Sequence, residues 1–261
     1  MKYLIANWKM QLTPRDATTL AEKAAMAWSS DDALASSITA ALCPSAASLS
    51  GVARAIAGSP VALGAQDCFW EDRGAYTGET SPLELQELGV AYCIVGHSER
   101  RQHLGETDAM ARRKTEALLA NGIAPVLCVG ETAKEREAGR ADEVIVTQLR
   151  AALDGARLGG GRLLVAYEPR WAIGTGVPVA PEEAARVHSL IRAELDGILA
   201  HHEAGGTQYA VLYGGSVDPD NAASFAMLPE VEGVLVGGAS LTVDSLTAVA
   251  RALAAAEARG R

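Results

Sequence analysis

The sequence predicts an α/β fold, a closed (β/α)8 parallel barrel that occupies residues 1–261 as a single domain. Three observations predict it. Short apolar runs alternate with amphipathic stretches along the whole chain, and there are eight such runs. Most of the runs lack polar alternation, which is the pattern of strands covered on both faces. The length of 261 residues suits eight strand–helix units joined by right-handed crossovers. An open doubly wound sheet is the rival, but it usually carries a Gly-rich first turn. Here the first run leads into Asn7-Trp8-Lys9-Met10 instead.

The strands are read, in order, at Tyr3–Ala6, Ile38–Leu42, Val61–Ala65, Tyr92–Val95, Ala124–Val129, Leu163–Tyr167, Tyr209–Tyr213 and Gly233–Val236. Thr13-Pro14-Arg15-Asp16 opens the first long helix with a cap, a proline at the first helical position and an acid in the first turn. Pro181-Glu182-Glu183 opens another, whose apolar stripe runs through Val187, Leu190, Ile191, Leu195 and Ile198. Asp218-Pro219-Asp220 reads as the start of a short helix. Leu246, Val249, Ala250 and Leu253 mark a last one near Asp244–Ala256. Gly155–Gly161 reads as a loop, and no linker or low-complexity tract divides the chain.

Composition narrows the function. The net charge is -9, which disfavours nucleic acid and anionic membrane as partners. An anionic substrate would need a local patch of donors. No apolar run approaches the ~18 residues of a membrane span, and the N-terminal run is too short for a signal peptide. The four cysteines, Cys43, Cys68, Cys93 and Cys128, form no C-x-x-C pair and read as reduced, mostly buried thiols of a cytoplasmic protein.

Polar residues gather just past the strands: Asn7 and Lys9 after the first, Gln66 after the third, His97-Ser98-Glu99 after the fourth, and Glu131 and Glu168 after the fifth and sixth. In a barrel these converge on the C-terminal rim, where barrel enzymes keep their sites. Gly214-Gly215-Ser216 and Gly237-Gly238 follow the last two strands. Without a Cβ their N–H groups can reach a phosphate, although such glycines also serve ordinary tight turns. Asp218, beside them, would oppose an anion unless it caps the next helix. Glu168 precedes Pro169 and the small-residue segment Trp171-Ala172-Ile173-Gly174-Thr175-Gly176. That is the pattern of a general base under a movable lid, or of a rim carboxylate in a salt bridge.

His97 opens a helical turn, where the helix N-terminus disfavours its cation. It suits a neutral hydrogen-bond donor to a carbonyl, or a structural histidine bonded to backbone. Glu99-Arg100-Arg101 reads as a rim salt-bridge network. Lys9 suits an enediolate or a phosphate, or else a surface position, which Trp8 and Met10 argue against by implying a packed loop. The adjacent His201-His202 project about 100° apart on a helix and make poor joint ligands, so no metal is expected. No G-x-G-x-x-G follows the first strand, so no dinucleotide is expected either.

These motifs, in this order, resemble the triosephosphate isomerase family over essentially the whole chain. The matching segments include Ala6-Asn7-Trp8-Lys9-Met10, Gly74-Ala75-Tyr76-Thr77-Gly78-Glu79, Val95-Gly96-His97-Ser98-Glu99-Arg100-Arg101, Ala166-Tyr167-Glu168-Pro169, Tyr213-Gly214-Gly215-Ser216-Val217 and Leu235-Val236-Gly237-Gly238. The resemblance implies a cofactor-free and metal-free isomerase of glycolysis and gluconeogenesis that interconverts dihydroxyacetone phosphate and glyceraldehyde 3-phosphate. It implies Glu168 as the base and His97 as the neutral electrophile, the pairing by which this family illustrates pKa tuning. It further implies Lys9 and Asn7 at the enediolate, Glu99 as a supporting carboxylate, and Gly174, Ser216, Gly237 and Gly238 around the phosphate. It implies a homodimer in which the loop around Thr77 inserts beside the neighbour's site, and structural importance for Cys128. Arg170 departs from the branched apolar residue usual at the lid's first hinge, and Val177-Pro178-Val179 departs at the second. The reading for Arg170 is a side chain that reaches solvent or pairs with a rim acid. Two other functions remain in view: a sister isomerase of a four-carbon ketose phosphate, and a non-catalytic barrel used for binding.

Overall fold

The structure is a computed structural model and describes residues 1–172, 178–200 and 206–259. Eight parallel strands close in sequence order: β1 Lys2–Asn7, β2 Ile38–Cys43, β3 Ala62–Ala65, β4 Val90–Val95, β5 Ala124–Val129, β6 Arg162–Tyr167, β7 Gln208–Tyr213 and β8 Gly233–Val236. Tyr3 pairs with Thr39 on one side and Gly233 on the other, which seals the seam. A closed barrel leaves no strand edge for another chain to pair with. The helices are α1 Pro14–Ser29, α2 Asp32–Ser37, α3 Leu49–Ala55, α4 Pro82–Glu87, α5 Ser98–Leu104 and α6 Asp108–Ala120. They continue with α7 Ala133–Glu137, α8 Ala141–Leu153, α9 Pro181–Ala200, α10 Ala222–Ala226 and α11 Val243–Arg259.

Two apolar layers hold this together. Ile5, Ala41, Ile94, Val126, Leu164 and Leu212 fill the barrel interior. Their neighbours in sequence, among them Leu4, Leu42, Val95, Leu127, Val165 and Val211, face the helices. That division is why the strands read as unbroken apolar runs. The strand period of two also places the site. Ile5 points inward, so Asn7 does too, at the mouth. Leu164 and Ala166 point inward, so Glu168 follows them, and Leu235 sets the same parity for Gly237.

The helix signals act as written. Thr13 accepts the Asp16 N–H, and α1 buries Ala17, Leu20, Ala21, Ala24 and Trp28 at helical spacing. Trp28 is 1% exposed. Truncating it to alanine would cost about 3–5 kcal/mol through the cavity left behind. All four cysteines are buried free thiols. Strand ends differ from the sequence reading by one or two residues, as element boundaries do. Asp218 does not begin a helix. Its Oδ1 accepts the N–H groups of Asp220 and Asn221 at 3.0 Å, and the helix starts only at Ala222. The carboxylate is thus spent on its own turn and not on a helix cap, and Asp218 still lines the cavity at the barrel mouth, against the anion-site argument. The packed loop after β1 is half right. Trp8 is buried and bonds Ser240 O at 3.1 Å, but Met10 is 93% exposed.

Candidate active site

Glu168, 2% exposed, ends the β6 side of the mouth. Its Oε2 accepts the Ser98 N–H at 2.9 Å, and its Oε1 lies 2.9 Å from His97 Nε2. His97 is the cap residue of α5, and its Nδ1 accepts the Glu99 N–H at 3.2 Å. A ring nitrogen that accepts carries no proton, so the neutral ring keeps its proton on Nε2, towards Glu168. Burial alone would raise the Glu168 carboxyl, but the His97 ring and the Ser98 N–H outweigh it and hold the pKa below its ordinary value. At His97 burial works against the cation, and the facing Glu168 carboxylate more than offsets it, so the pKa lies above its ordinary value. The facing carboxylate thus pulls against the effect expected of the helix N-terminus while Glu168 lies against the ring.

Lys9 reaches in from β1. It is the one non-glycine residue with positive φ (49°) among the described residues. Its N–H is held by Asn7 Oδ1 at 3.0 Å, and its carbonyl by Gln66 Nε2 at 2.8 Å. Its ammonium lies 2.6 Å from Glu99 Oε1. Asn7, Lys9, His97, Glu168, Ser216 and Gly238 line one cavity of about 400 Å3. The glycines divide by cause. At Gly215 a Cβ would fall 2.2 Å from the Tyr213 hydroxyl, so packing against that ring demands glycine there. Gly238 opens into free space beside the cavity. Ser216 Oγ donates to Ala172 O at 2.7 Å. Gly174, with the rest of 173–177, and His201-His202 lie outside the described residues. Thr77 sits in an exposed loop away from the cavity.

The profile of a family described as triosephosphate isomerase matches residues 2–253. The chain belongs to that family. A triosephosphate isomerase of Roseiflexus castenholzii is 44% identical over 255 residues, which is 97% of this chain and 98% of that one. One from Herpetosiphon aurantiacus is 43% identical over 249 residues, 95% of this chain and 97% of its own. The crystal structure of triosephosphate isomerase from Bartonella henselae superposes with a TM-score of 0.83 at 32% identity, covering 96% of this chain and 98% of that one.

Within this family frame, several site residues escaped the sequence reading of roles. Ser98 contributes only its N–H, which no side-chain motif announces. Gln66 ties β1 to β2 by bonding both Lys9 O and Cys43 O. Glu131, fully buried, accepts the Trp171 indole N–H at 2.8 Å and the Tyr167 hydroxyl at 3.3 Å. A closed ring of charges, Asp67–Lys114–Glu106–Arg100, lies behind His97. Glu106 Oε1 also accepts the Gly96 N–H at 2.8 Å. Glu106 follows the left-handed Gly105 that ends α5, and this abrupt chain reversal was the available signal for an inward acid. The Arg100 and Arg101 pairs, to Asp67 and Glu106 and to Asp108, match the expected rim network. Arg170 is half-buried, with its Nε buried without a hydrogen-bond partner; among the described residues it makes no ion pair within contact distance, but its charge helps hold the Glu135 carboxyl below its ordinary pKa.

Proposed function

We propose that Glu168 moves the proton in the interconversion of dihydroxyacetone phosphate and D-glyceraldehyde 3-phosphate. The carrying observation is the Glu168–His97 contact of 2.9 Å at the mouth of a cavity that also holds Lys9. The Ser98 N–H and the His97 ring keep Glu168 ionised. Turning towards substrate frees the carboxylate of both, and losing these two partners strengthens it as a base. The same turn frees His97 Nε2–H to donate to the substrate oxygen, and it removes the carboxylate that favoured an imidazolium. Negative charge builds on that oxygen as the carbon-bound proton leaves. The His97 donor and the Lys9 ammonium stabilise this enediolate, and Glu168 returns the proton to the neighbouring carbon. Asn7 orients Lys9, and Glu99 holds the ammonium at the site's edge. The phosphate rests on Gly174, Ser216, Gly237 and Gly238. Carboxylate, imidazole and ammonium suffice for each step, so no cofactor or metal takes part.

We further propose that one barrel domain spanning 1–261 carries the activity in glycolysis and gluconeogenesis, in the cytoplasm, as a homodimer. No described helix is long and apolar enough to cross a membrane. Support for the dimer is the exposed loop around Thr77 with Tyr76 45% exposed, together with Met10 standing out beside Lys9. Sedimentation of an active monomer would remove the dimer. The reaction is tested by adding glyceraldehyde 3-phosphate to the purified protein without cofactor or metal, beside Glu168→Ala. Conversion should fall by at least about 10³-fold in the variant. Equal slow turnover by both would reject the assignment, and faster turnover of four-carbon ketose phosphates would move it to the sister reaction.

A further inference from the structure

Glu168 sits on a turn whose footing comes from elsewhere in the fold. The Arg170 N–H donates to Glu131 O at 3.0 Å, and the Ala172 N–H donates to Pro169 O at 2.8 Å. The Trp171 indole N–H donates to the fully buried Glu131 carboxylate. One guanidinium reaches both the Trp171 ring and the Glu131 carboxylate. Arg136, on the five-residue α7, places its Cζ 4.7 Å from the centre of the Trp171 ring. Its Nη1 lies 3.5 Å from Glu131 Oε1 and 3.3 Å from Glu183 Oε1, in the first turn of α9. It therefore touches Trp171, before residues 173–177, and Glu183, after them. We propose that Arg136 is a positioning residue for the reaction, fixing the Trp171 indole against Glu131 and thereby the turn that carries Glu168.

The chemistry favours arginine at this place. A planar guanidinium can lie flat on an indole face while donating from its edge to two carboxylates, and a lysine ammonium, a compact point charge, cannot do both at once. Glu131 is a buried anion whose other partners are a hydroxyl and an indole N–H, and Arg136 is the cation beside it. Glu183 is held from its other side by Arg186, which in turn pairs with Asp142 on α8. The arginine is thus linked to α9 through Glu183 and, by way of Arg186, to Asp142 on α8. Arg136 touches neither Glu168 nor the cavity. Its effect passes through Trp171, so it belongs to the step in which Glu168 turns and not to ground-state binding of substrate.

The inference rests on Glu168 as the base, which Glu168→Ala tests separately. The experiment compares Arg136→Lys and Arg136→Met with the parent protein in kcat, KM and folded fraction. It also follows the 19F resonance of Trp171 in protein grown on 5-fluorotryptophan, assigned with Trp171→Phe. Arg136→Lys keeps a cation for Glu131 and Glu183 and should fold. Its kcat should fall by about threefold or more with KM within about twofold, and the Trp171 resonance should shift. Arg136→Met should lower kcat by about tenfold, again with little change in KM. Joining Arg136→Met to Trp171→Phe should cost less than the product of the two single losses, because both break one contact. A lysine variant with parental kcat and an unmoved Trp171 resonance would overturn the proposal. So would losses that vanish once activity is divided by the folded fraction, which would leave Arg136 a structural ion pair. Arg136→Met failing to fold leaves the lysine comparison decisive.

Discussion

Two clusters of charge lie side by side at the rim of this barrel, and they are built on opposite plans. Asp67, Lys114, Glu106 and Arg100 form a closed ring in which each charge has two opposite partners. Lys114 is 1% exposed and Glu106 4%. Glu168, His97, Glu99 and Lys9 instead form an open chain: carboxylate to imidazole, imidazole to a backbone N–H, and ammonium to a half-exposed carboxylate. Nothing in the ring can move without stranding a buried charge. The proposed reaction needs Glu168, His97 and Lys9 each to exchange a link of this chain for a bond to substrate. Rigidity and reactivity are separated by a single residue here, because Gly96 bonds the ring and His97 begins the chain.

The largest expected break in this contrast is Lys9→Met. Activity as kcat/KM should drop by roughly 10³-fold or more if Lys9 is the preorganised cation proposed for the enediolate. Stability should change by less than about 1 kcal/mol, since the Lys9–Glu99 pair is partly exposed and weakened by water. Chemical denaturation beside steady-state kinetics would show it. A stability loss as large as the activity loss would mean that the chain is structural after all.

Lys114→Met should do the reverse. It leaves Glu106 and Asp67 sharing only Arg100 and should cost about 3–5 kcal/mol of stability. Turnover per folded molecule should stay within about twofold. If kcat falls by more than tenfold in the protein that remains folded, the ring acts on His97 and the two clusters are one.

The ring also carries a pH signature. Burial pushes the Asp67 carboxyl from 3.8 up to about 6, against the pull of Lys114 and Arg100. Between those values the folded chain holds a proton that the unfolded chain has released. This group's contribution to stability therefore rises as pH falls from about 6 towards 3.8, by up to on the order of 3 kcal/mol. Subtracting the denaturation profile of Asp67→Asn from that of the parent isolates the slope, and a flat difference would contradict it. The smallest effect is expected for Glu99→Gln. Releasing the ammonium's partner should change kcat by about tenfold or less, with stability within about 0.5 kcal/mol.

Much of this was legible in the sequence. The eight apolar runs were strands because both faces of a barrel are covered, and strand parity then aimed Asn7, Glu168 and Gly237 at the mouth. Lys9 and His97 could be placed because each stands within a few residues of a strand end. The ring could not be read, because its members come from three separate segments and look like surface charges until the chain folds. Met10 was misread for a related reason. An apolar side chain beside Trp8 suggests packing, but in this loop the two residues face opposite ways. The carboxylate that faces His97 lies far along the chain, so its pull on the imidazole could not be read from the local sequence as the helix N-terminus could.

The left-handed backbone of Lys9 has one more consequence. A side chain held there costs roughly 1–2 kcal/mol that a glycine would not incur. Lys9→Gly should therefore yield a sturdier protein that lacks the cation proposed for the enediolate. A library of this chain screened by heat resistance alone would enrich that change and discard the activity, so any effort to harden the protein has to score turnover at every round.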